Sequence, residues 1–292
     1  MAIQMLWRCI YILTFAAGAF SIFSGNSVHY GDYPFFATLI FTNAAGSAWI
    51  CGGSLLNASF IVTAGHCTAS ATVAYIYLNT AIMLSPWSPG PSLVSTVIRT
   101  NPAFSTTRYY NDVGFVMLSQ PSDVPPIRVA SSQNWAMLQQ CQAMHVVGRG
   151  YSCAGGCLPN TLQHVTLPYI PKAACVGNTN TQWTSVVVGD DVCMGYQGVC
   201  ASIDPEVARD ATCSGDSGSP VFDDTVSQFG IVSRVRTVQQ NLPNWPISLL
   251  APFWRRRLAA PSASTRFGLR LRFCLGPHAP SIYGFSVFSV KM

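Results

Sequence analysis

The chain has 292 residues, of which 49% are hydrophobic and only 9% are charged. This length allows one large domain or two small barrels, and this composition excludes an intrinsically disordered chain. The net charge of +5 is carried by the C-terminal tail, because residues 255–292 contain seven Lys and Arg and no Asp or Glu. The rest of the chain has nine basic and eleven acidic residues, so we expect no nucleic-acid partner.

The N-terminal segment predicts export. Arg8 precedes an uncharged apolar run, residues 9–20, that ends among small residues. A signal peptide has this order, whereas a membrane-spanning helix needs about 20 apolar residues. We therefore interpret residues 1–21 as a signal peptide and expect a secreted, extracellular protein without a membrane anchor. A membrane-tethered protein that retains residues 9–23 is the alternative.

The cysteines indicate disulfide bonds. The chain contains eleven, and Cys9 lies in the N-terminal apolar run. In an exported protein, the other ten favour a disulfide framework. A zinc site is not indicated, since the sequence lacks paired C-x-x-C or H-x-x-x-H clusters. We expect neither a metal nor an organic cofactor.

From residue 34 onward the sequence predicts short strands separated by Gly, Pro, Ser and Asn. Many short strands without a long helical period indicate an all-β fold, a barrel or a sandwich. A proline-containing stretch, residues 119–140, separates two halves of the chain. The predicted strands lie at residues 35–41, 59–64, 72–78, 92–99 and 113–119 in the first half, and at 143–148, 161–167, 219–224 and 229–235 in the second.

Three short motifs indicate catalysis: Thr-Ala-Gly-His-Cys at 63–67, Asn-Asp-Val-Gly-Phe at 111–115 and Gly-Asp-Ser-Gly-Ser-Pro at 215–220. Each alone is an ordinary turn, but together they supply His66, Asp112 and Ser217 in that order. A serine hydroxyl is a weak nucleophile at neutral pH and needs an adjacent base, which a histidine can provide. An aspartate can fix the tautomer of that histidine and stabilise its cation.

With these motifs, the chain resembles the trypsin/chymotrypsin family of serine proteases, whose triad follows the same order. The resemblance extends from about residue 22 to 233, is weak to residue 254, and is absent beyond it. It implies two antiparallel six-stranded barrels, joined around residues 119–140, with the active site in the cleft between them. The implied function is a secreted serine endopeptidase, acting through an acyl-enzyme on protein or peptide substrates and subject to protease inhibitors.

The resemblance also implies further site residues. The backbone N–H groups of Gly215 and Ser217 would form the oxyanion hole, and Asp216 would pair with the new α-amino group of Ile22. Substrate would contact Ser233, Ala211 at the bottom of the specificity pocket, and Val235 at its wall. The neutral Ala211 predicts a small or medium uncharged side chain at the cleaved position, unless Asp210 occupies the pocket instead. The implied disulfides are Cys51–Cys67 and Cys175–Cys193.

Several residues depart from the family pattern. Ser21 precedes Ile22, where an activating protease would require Arg or Lys. Arg149 replaces the tryptophan that the family has between two glycines, and Arg234 and Val235 replace a Trp-Gly pair. The altered C-terminal third supports the alternative function, a catalytically inactive homologue that acts as a binding protein.

The remaining cysteines and the tail are not assigned by the resemblance. The usual partner of Cys213 is missing, which leaves Cys200 as a candidate, and Cys153 and Cys157 lie close enough to pair locally. Cys141 and Cys274 have no assigned partner. Residues 255–292 resemble nothing in the family, and we interpret them as a basic tail of unknown structure outside the 22–254 protease domain.

Overall fold

The computed structural model of the chain describes residues 25–83, 90–151, 158–177, 192–195, 200, 212, 214–239 and 282–289. For residues 175–177, 235–239 and 282–289 it describes the backbone alone. The strands are β1 Asn26–Ser27, β2 Phe36–Thr42, β3 Ala48–Asn57, β4 Phe60–Thr63, β5 Val73–Leu78, β6 Leu93–Ser95, β7 Ile98–Thr100, β8 Gly114–Met117, β9 Arg128–Val129, β10 Ala143–Gly148, β11 Gln163–Ile170, β12 Val192–Gly195, β13 Pro220–Phe222, β14 Ser227–Gln239 and β15 Ile282–Ser289. The helices are α1 Gly65–Thr68, α2 Ser132–Met137 and α3 Lys172–Gly177.

The first sheet is antiparallel and has the strand order β6-β5-β2-β3-β4-β8-β7. Strand β2 is buried along nearly its whole length because it lies between β3 and β5 and is rich in apolar residues. The end strands β6 and β7 are separated by only residues 96 and 97, and the N–H of Met117 in β8 donates to the carbonyl of Val97. The chain therefore curls the sheet into a barrel, with β6 and β7 as one bent strand.

The second sheet closes on itself. Strands β10, β11, β12, β15, β14 and β13 pair in a ring, and the short strands β1 and β9 pair with β11 and β14. Strand β11 alternates between buried and partly exposed positions, so that Val165 and Leu167 point into the core while Thr166 faces outward. The predicted all-β fold with two six-stranded barrels is confirmed.

The two barrels pack directly against each other. Val147, Phe222 and Ile231 of the second sheet belong to the same buried apolar cluster as the core of the first. A buried hydrogen bond also joins them, from Ser54 Oγ in β3 to Gln228 Oε1 in β14 at 2.8 Å. The interface between the barrels is thus part of the core, and it holds side chains near it in fixed positions.

Strand β15 lies within the segment that the sequence assigns to a tail outside the domain. Its backbone pairs with β14 on one side and β12 on the other, so it completes the second barrel. The physical reason is visible in the sequence: residues 282–289 are apolar, β-branched or aromatic in large part and carry no charge, unlike the arginine-rich stretch that precedes them.

Candidate active site

His66 and Asp112 are joined by two hydrogen bonds near the barrel interface. Strand β4 ends at Thr63, and the one-turn helix α1 then carries His66. The backbone N–H of His66 donates to Asp112 Oδ1 at 2.7 Å, and its Nδ1 lies 2.8 Å from Asp112 Oδ2. Because a carboxylate can only accept, Nδ1 carries the proton and Nε2 of the neutral ring retains its lone pair. That lone pair is what a general base requires.

Asp112 is completely buried, whereas the His66 side chain is 24% exposed. A buried carboxylate is stable only when its oxygens are hydrogen-bonded. Here a third donor, Ser233 Oγ, contributes a hydrogen bond of 2.5 Å to Asp112 Oδ2. Donors from two distant segments therefore converge on the Asp112 carboxylate, which fixes the orientation of the His66 imidazole through its Nδ1.

Ser217 lies in a tight loop between Gly215 and Gly218. Both glycines have positive φ, +98° and +81°, a conformation that side chains other than glycine rarely adopt. The Ser217 carbonyl accepts a hydrogen bond of 2.7 Å from the N–H of Gly52, and the N–H of Gly218 donates to the Val232 carbonyl at 2.7 Å. The serine loop is thus bonded to both barrels.

The disulfide Cys51–Cys67 lies beside these contacts. Cys51 immediately precedes Gly52, which binds the serine loop, and Cys67 immediately follows His66. The covalent bond therefore connects the strand that supports Ser217 to the helical turn that carries His66. Such a cross-link limits how far the two can separate.

Asp216 is completely buried, and its Oδ1 accepts a hydrogen bond of 2.6 Å from the N–H of Gly150. The N–H of Tyr151 donates to the Ser214 carbonyl at 2.7 Å. The segment 148–151 therefore lies directly against the loop that contains Ser217. Ile22, which the sequence predicts as the partner of Asp216, lies outside the described residues.

Arg149 is buried in the same segment, with only 2% of its surface exposed. Its Nε donates to Thr38 Oγ1 at 3.3 Å and its Nη1 to the Asn160 carbonyl at 2.8 Å, while Nη2 donates to the carbonyls of Thr80 and Ala81 at 2.8 and 3.0 Å. Burial lowers the pKa of Arg149 to about 10. The sequence singled out Arg149 as a departure from the family, but gave no indication of these contacts.

Tyr109 is a neighbour of His66 that the sequence analysis missed. Its ring makes a T-shaped contact with the imidazole, with the centroids 5.5 Å apart, and the Arg234 guanidinium carbon lies over the Tyr109 ring, 5.9 Å from its centroid. Arg234 Nη1 also lies 3.2 Å from Ser233 Oγ. The one available signal was the position of Tyr109, three residues before Asp112.

The remaining predicted residues are described in part or not at all. Ala211 lies outside the described residues, as does the side chain of Val235. Cys193 is disulfide-bonded, but the side chain of its predicted partner Cys175 is not described. The structure also contains the disulfide Cys141–Cys200, a pairing different from the Cys200–Cys213 candidate that the sequence left open.

A second polar cluster lies on the second barrel, outside the candidate active site. His145 Nε2 is 2.6 Å from Asp224 Oδ1, and His145 Nδ1 is 3.0 Å from His164 Nε2. Burial and the neighbouring His145 lower the pKa of His164 to about 4.

Within the described parts of the chain, no group of three or more His, Cys, Asp or Glu is arranged to hold a metal ion, and no helix is long and apolar enough to cross a membrane.

A two-barrel all-β fold, with a buried Asp–His pair and a glycine-flanked serine loop at the barrel interface, is the architecture of the chymotrypsin class of proteins. The family model described as Trypsin matches residues 22–249. The chain belongs to the trypsin family.

Individual relatives are distant. The chain is 26% identical over 227 residues to the venom peptide isomerase heavy chain of Agelenopsis aperta, covering 74% of this chain and 88% of that protein. It is 23% identical over 273 residues to serine protease snk of Drosophila melanogaster, covering 90% of this chain but only 53% of that protein. Likewise, it covers 29% of the Drosophila serine proteinase stubble, with 27% identity and 76% of this chain matched.

The fold is also found among solved structures. The chain superposes on HL collagenase with a TM-score of 0.59 and 24% sequence identity, covering 73% of this chain and 86% of the other. This likeness supports the two-barrel fold.

Proposed function

We propose that this chain is a serine endopeptidase that cleaves peptide bonds through an acyl-enzyme intermediate. The observation that carries the proposal is the hydrogen-bonded chain from Ser233 through Asp112 to His66, beside a glycine-flanked loop that presents Ser217. Ser217 is the nucleophile, His66 the general base and then the general acid, and Asp112 the group that orients and stabilises the imidazolium.

Acylation and deacylation use the same residues. His66 Nε2 takes the proton of the Ser217 hydroxyl as the oxygen attacks the scissile carbonyl. The protonated His66 then gives that proton to the leaving amine, which departs and leaves the acyl-enzyme. Water, activated in turn by His66, releases the acid product and restores Ser217.

The oxyanion hole is formed by the backbone N–H groups of Gly215 and Ser217. Supporting this assignment, neither N–H donates to an acceptor among the described residues, whereas the adjacent N–H groups of Gly218 and Ser219 do. Two such donors aimed at the developing negative charge stabilise the transition state more than the substrate.

The proposed substrates are proteins or peptides bound as an extended strand along the edge at Ser233, a mode in which backbone hydrogen bonds give affinity and pockets give specificity. Ala211 at the pocket bottom and Val235 at its wall predict a small or medium uncharged side chain at the cleaved position.

We further propose that the chain is secreted, with Ile22 as the mature N-terminus paired to Asp216.

The experiment is cleavage of a diverse peptide library by secreted protein whose N-terminus has been sequenced by mass spectrometry. We expect turnover with cleavage after small uncharged residues, and its loss in Ser217→Ala, which should remain folded. Dominant cleavage after Arg or Lys would assign the pocket to Asp210 instead. A folded protein that begins at Ile22 but cleaves nothing would support an inactive, binding homologue.

A further inference from the structure

Arg149 is a buried cation, and within the described part of the chain its hydrogen bonds all go to neutral oxygen atoms. They lie on strand β2 (Thr38), in the segment after β5 (Thr80 and Ala81), and before β11 (Asn160). Burying a charge is costly unless its donors are satisfied, and an arginine can satisfy several donors at once because of its planar fork. The guanidinium therefore ties its own backbone to three other segments, two of them in the first barrel.

The backbone next to Arg149 contacts the serine loop, which contains the proposed oxyanion-hole donors. Gly150 donates its N–H to Asp216, and Tyr151 donates to Ser214. A Cβ atom placed on Gly215 would lie 3.0 Å from the Cα of Gly150, so the two backbones are already in close contact. Gly215, one of the two proposed oxyanion donors, is thus held between bonded neighbours on both sides.

We propose that Arg149 is a positioning residue for the oxyanion hole. Its hydrogen bonds fix segment 148–151 against the first barrel, and this segment fixes the backbone of residues 214–217. The proposal rests on the proposed peptidase function, since it concerns the geometry of the same reaction. It predicts that removing the guanidinium impairs transition-state stabilisation without removing any group that touches the substrate.

The test is the kinetics of Arg149→Met, which keeps an unbranched side chain but removes the donors. We expect kcat to fall about 10- to 100-fold with KM changed by less than about threefold, because small displacements of catalytic donors have effects of this size. The inhibition constant of a peptidyl trifluoromethyl ketone should rise by a similar factor, since its hemiketal oxygen binds the same donors as the transition state.

The matched control is Ser54→Ala, which also removes a buried hydrogen bond between the barrels, but one whose acceptor is Gln228 in β14 and not the serine loop. Both variants should lose stability in urea unfolding, whereas only Arg149→Met should lose kcat per titrated active site. Equal stability losses with wild-type kcat and inhibition constant in Arg149→Met would overturn the inference.

Arg149→Lys decides the matter if Arg149→Met fails to fold. A lysine ammonium can reach fewer of the four acceptors, so we expect a folded protein with kcat reduced by at least about fivefold and the inhibitor weakened in parallel. Failure of Arg149→Lys to fold would show a purely structural role and overturn the inference. An inactive wild-type protein would instead contradict the proposed function, and this inference with it.

Discussion

Among the described residues, two histidine side chains are hydrogen-bonded to an aspartate side chain, one in each barrel. His66 lies 2.8 Å from Asp112, and His145 lies 2.6 Å from Asp224, so distance alone does not separate them. The surroundings do: the Asp112 side chain is 0% exposed and the Asp224 side chain 80% exposed. Solvent weakens the electrostatic attraction within an exposed pair. A buried carboxylate is stable only with its hydrogen-bond donors, and its interaction with them is stronger because solvent is excluded.

The two pairs also differ in what lies beyond the histidine. The side-chain hydrogen bond of His66 is made by Nδ1 alone, so no described residue is bonded to its Nε2. In the other pair both ring nitrogens of His145 have partners, because Nδ1 lies 3.0 Å from His164 Nε2. A short His–Asp distance alone therefore does not indicate a catalytic pair, which also needs a buried carboxylate with several donors and a nucleophile.

The largest expected difference between the pairs is in turnover. Asp112→Asn should lower kcat about 10⁴-fold, as the equivalent change does in related serine proteases. The reason is that an amide, unlike a carboxylate, does not fix the His66 proton on Nδ1. Asp224→Asn, the matched change in the other pair, should leave kcat unchanged. Steady-state kinetics of both variants tests this, and similar losses in the two would erase the distinction.

The next effect concerns the covalent bond beside His66. Replacing Cys51 and Cys67 together with serine should lower the free energy of unfolding by about 2–5 kcal/mol, chiefly because the unfolded chain gains freedom. Urea unfolding of the double variant, compared with wild type, measures the loss. A change below about 1 kcal/mol would mean that packing alone holds this part of the site.

A smaller effect is expected from the third donor to Asp112. Ser233→Ala removes one of three hydrogen bonds to the carboxylate, and bonds to charged groups contribute about 1.5–3 kcal/mol. Because two donors remain, we expect kcat to fall only about 10-fold. Ser227→Ala, a serine on the same strand whose N–H and hydroxyl contact Asp223 and Thr225 instead, serves as the control and should keep normal kcat.

The last expected effect is a pH dependence of stability in the second cluster. The pKa of His164 is lowered to about 4 in the folded state, so between about pH 4 and 6.5 the unfolded chain binds the extra proton. His164 therefore contributes stability above pH 6.5 that is lost as the pH falls toward 4. His164→Gln should flatten this slope in unfolding measurements, while His29→Gln, at a histidine whose side chain is 93% exposed, should not.

Much of the fold was predictable because the strands are short, alternating and separated by turn residues, as β11 illustrates. The loop that carries Ser217, one of the proposed catalytic residues, was predictable for a different reason, since its local sequence matches what its backbone geometry requires. Glycines 215 and 218 are an example, because their positive φ angles leave little alternative to glycine.

What the sequence could not predict depends on contacts between distant segments. The acceptors of Arg149 come from residues up to 111 positions away. Most of them are backbone carbonyls, which every residue has, so the sequence does not indicate which ones will accept. The same holds for the disulfide Cys141–Cys200 and for β15, whose place in the barrel depends on which strand edges remain unpaired. Pairing across such distances is a property of the assembled fold.

The nucleophile Ser217 can be tested directly by covalent labelling with a fluorophosphonate, followed by mass spectrometry of the labelled peptide. We expect stoichiometric modification of Ser217 in the folded protein, at a rate strongly reduced in Asp112→Asn and unaffected in Asp224→Asn. A folded, correctly processed protein that remains unlabelled, or that is labelled at another serine, would contradict this expectation.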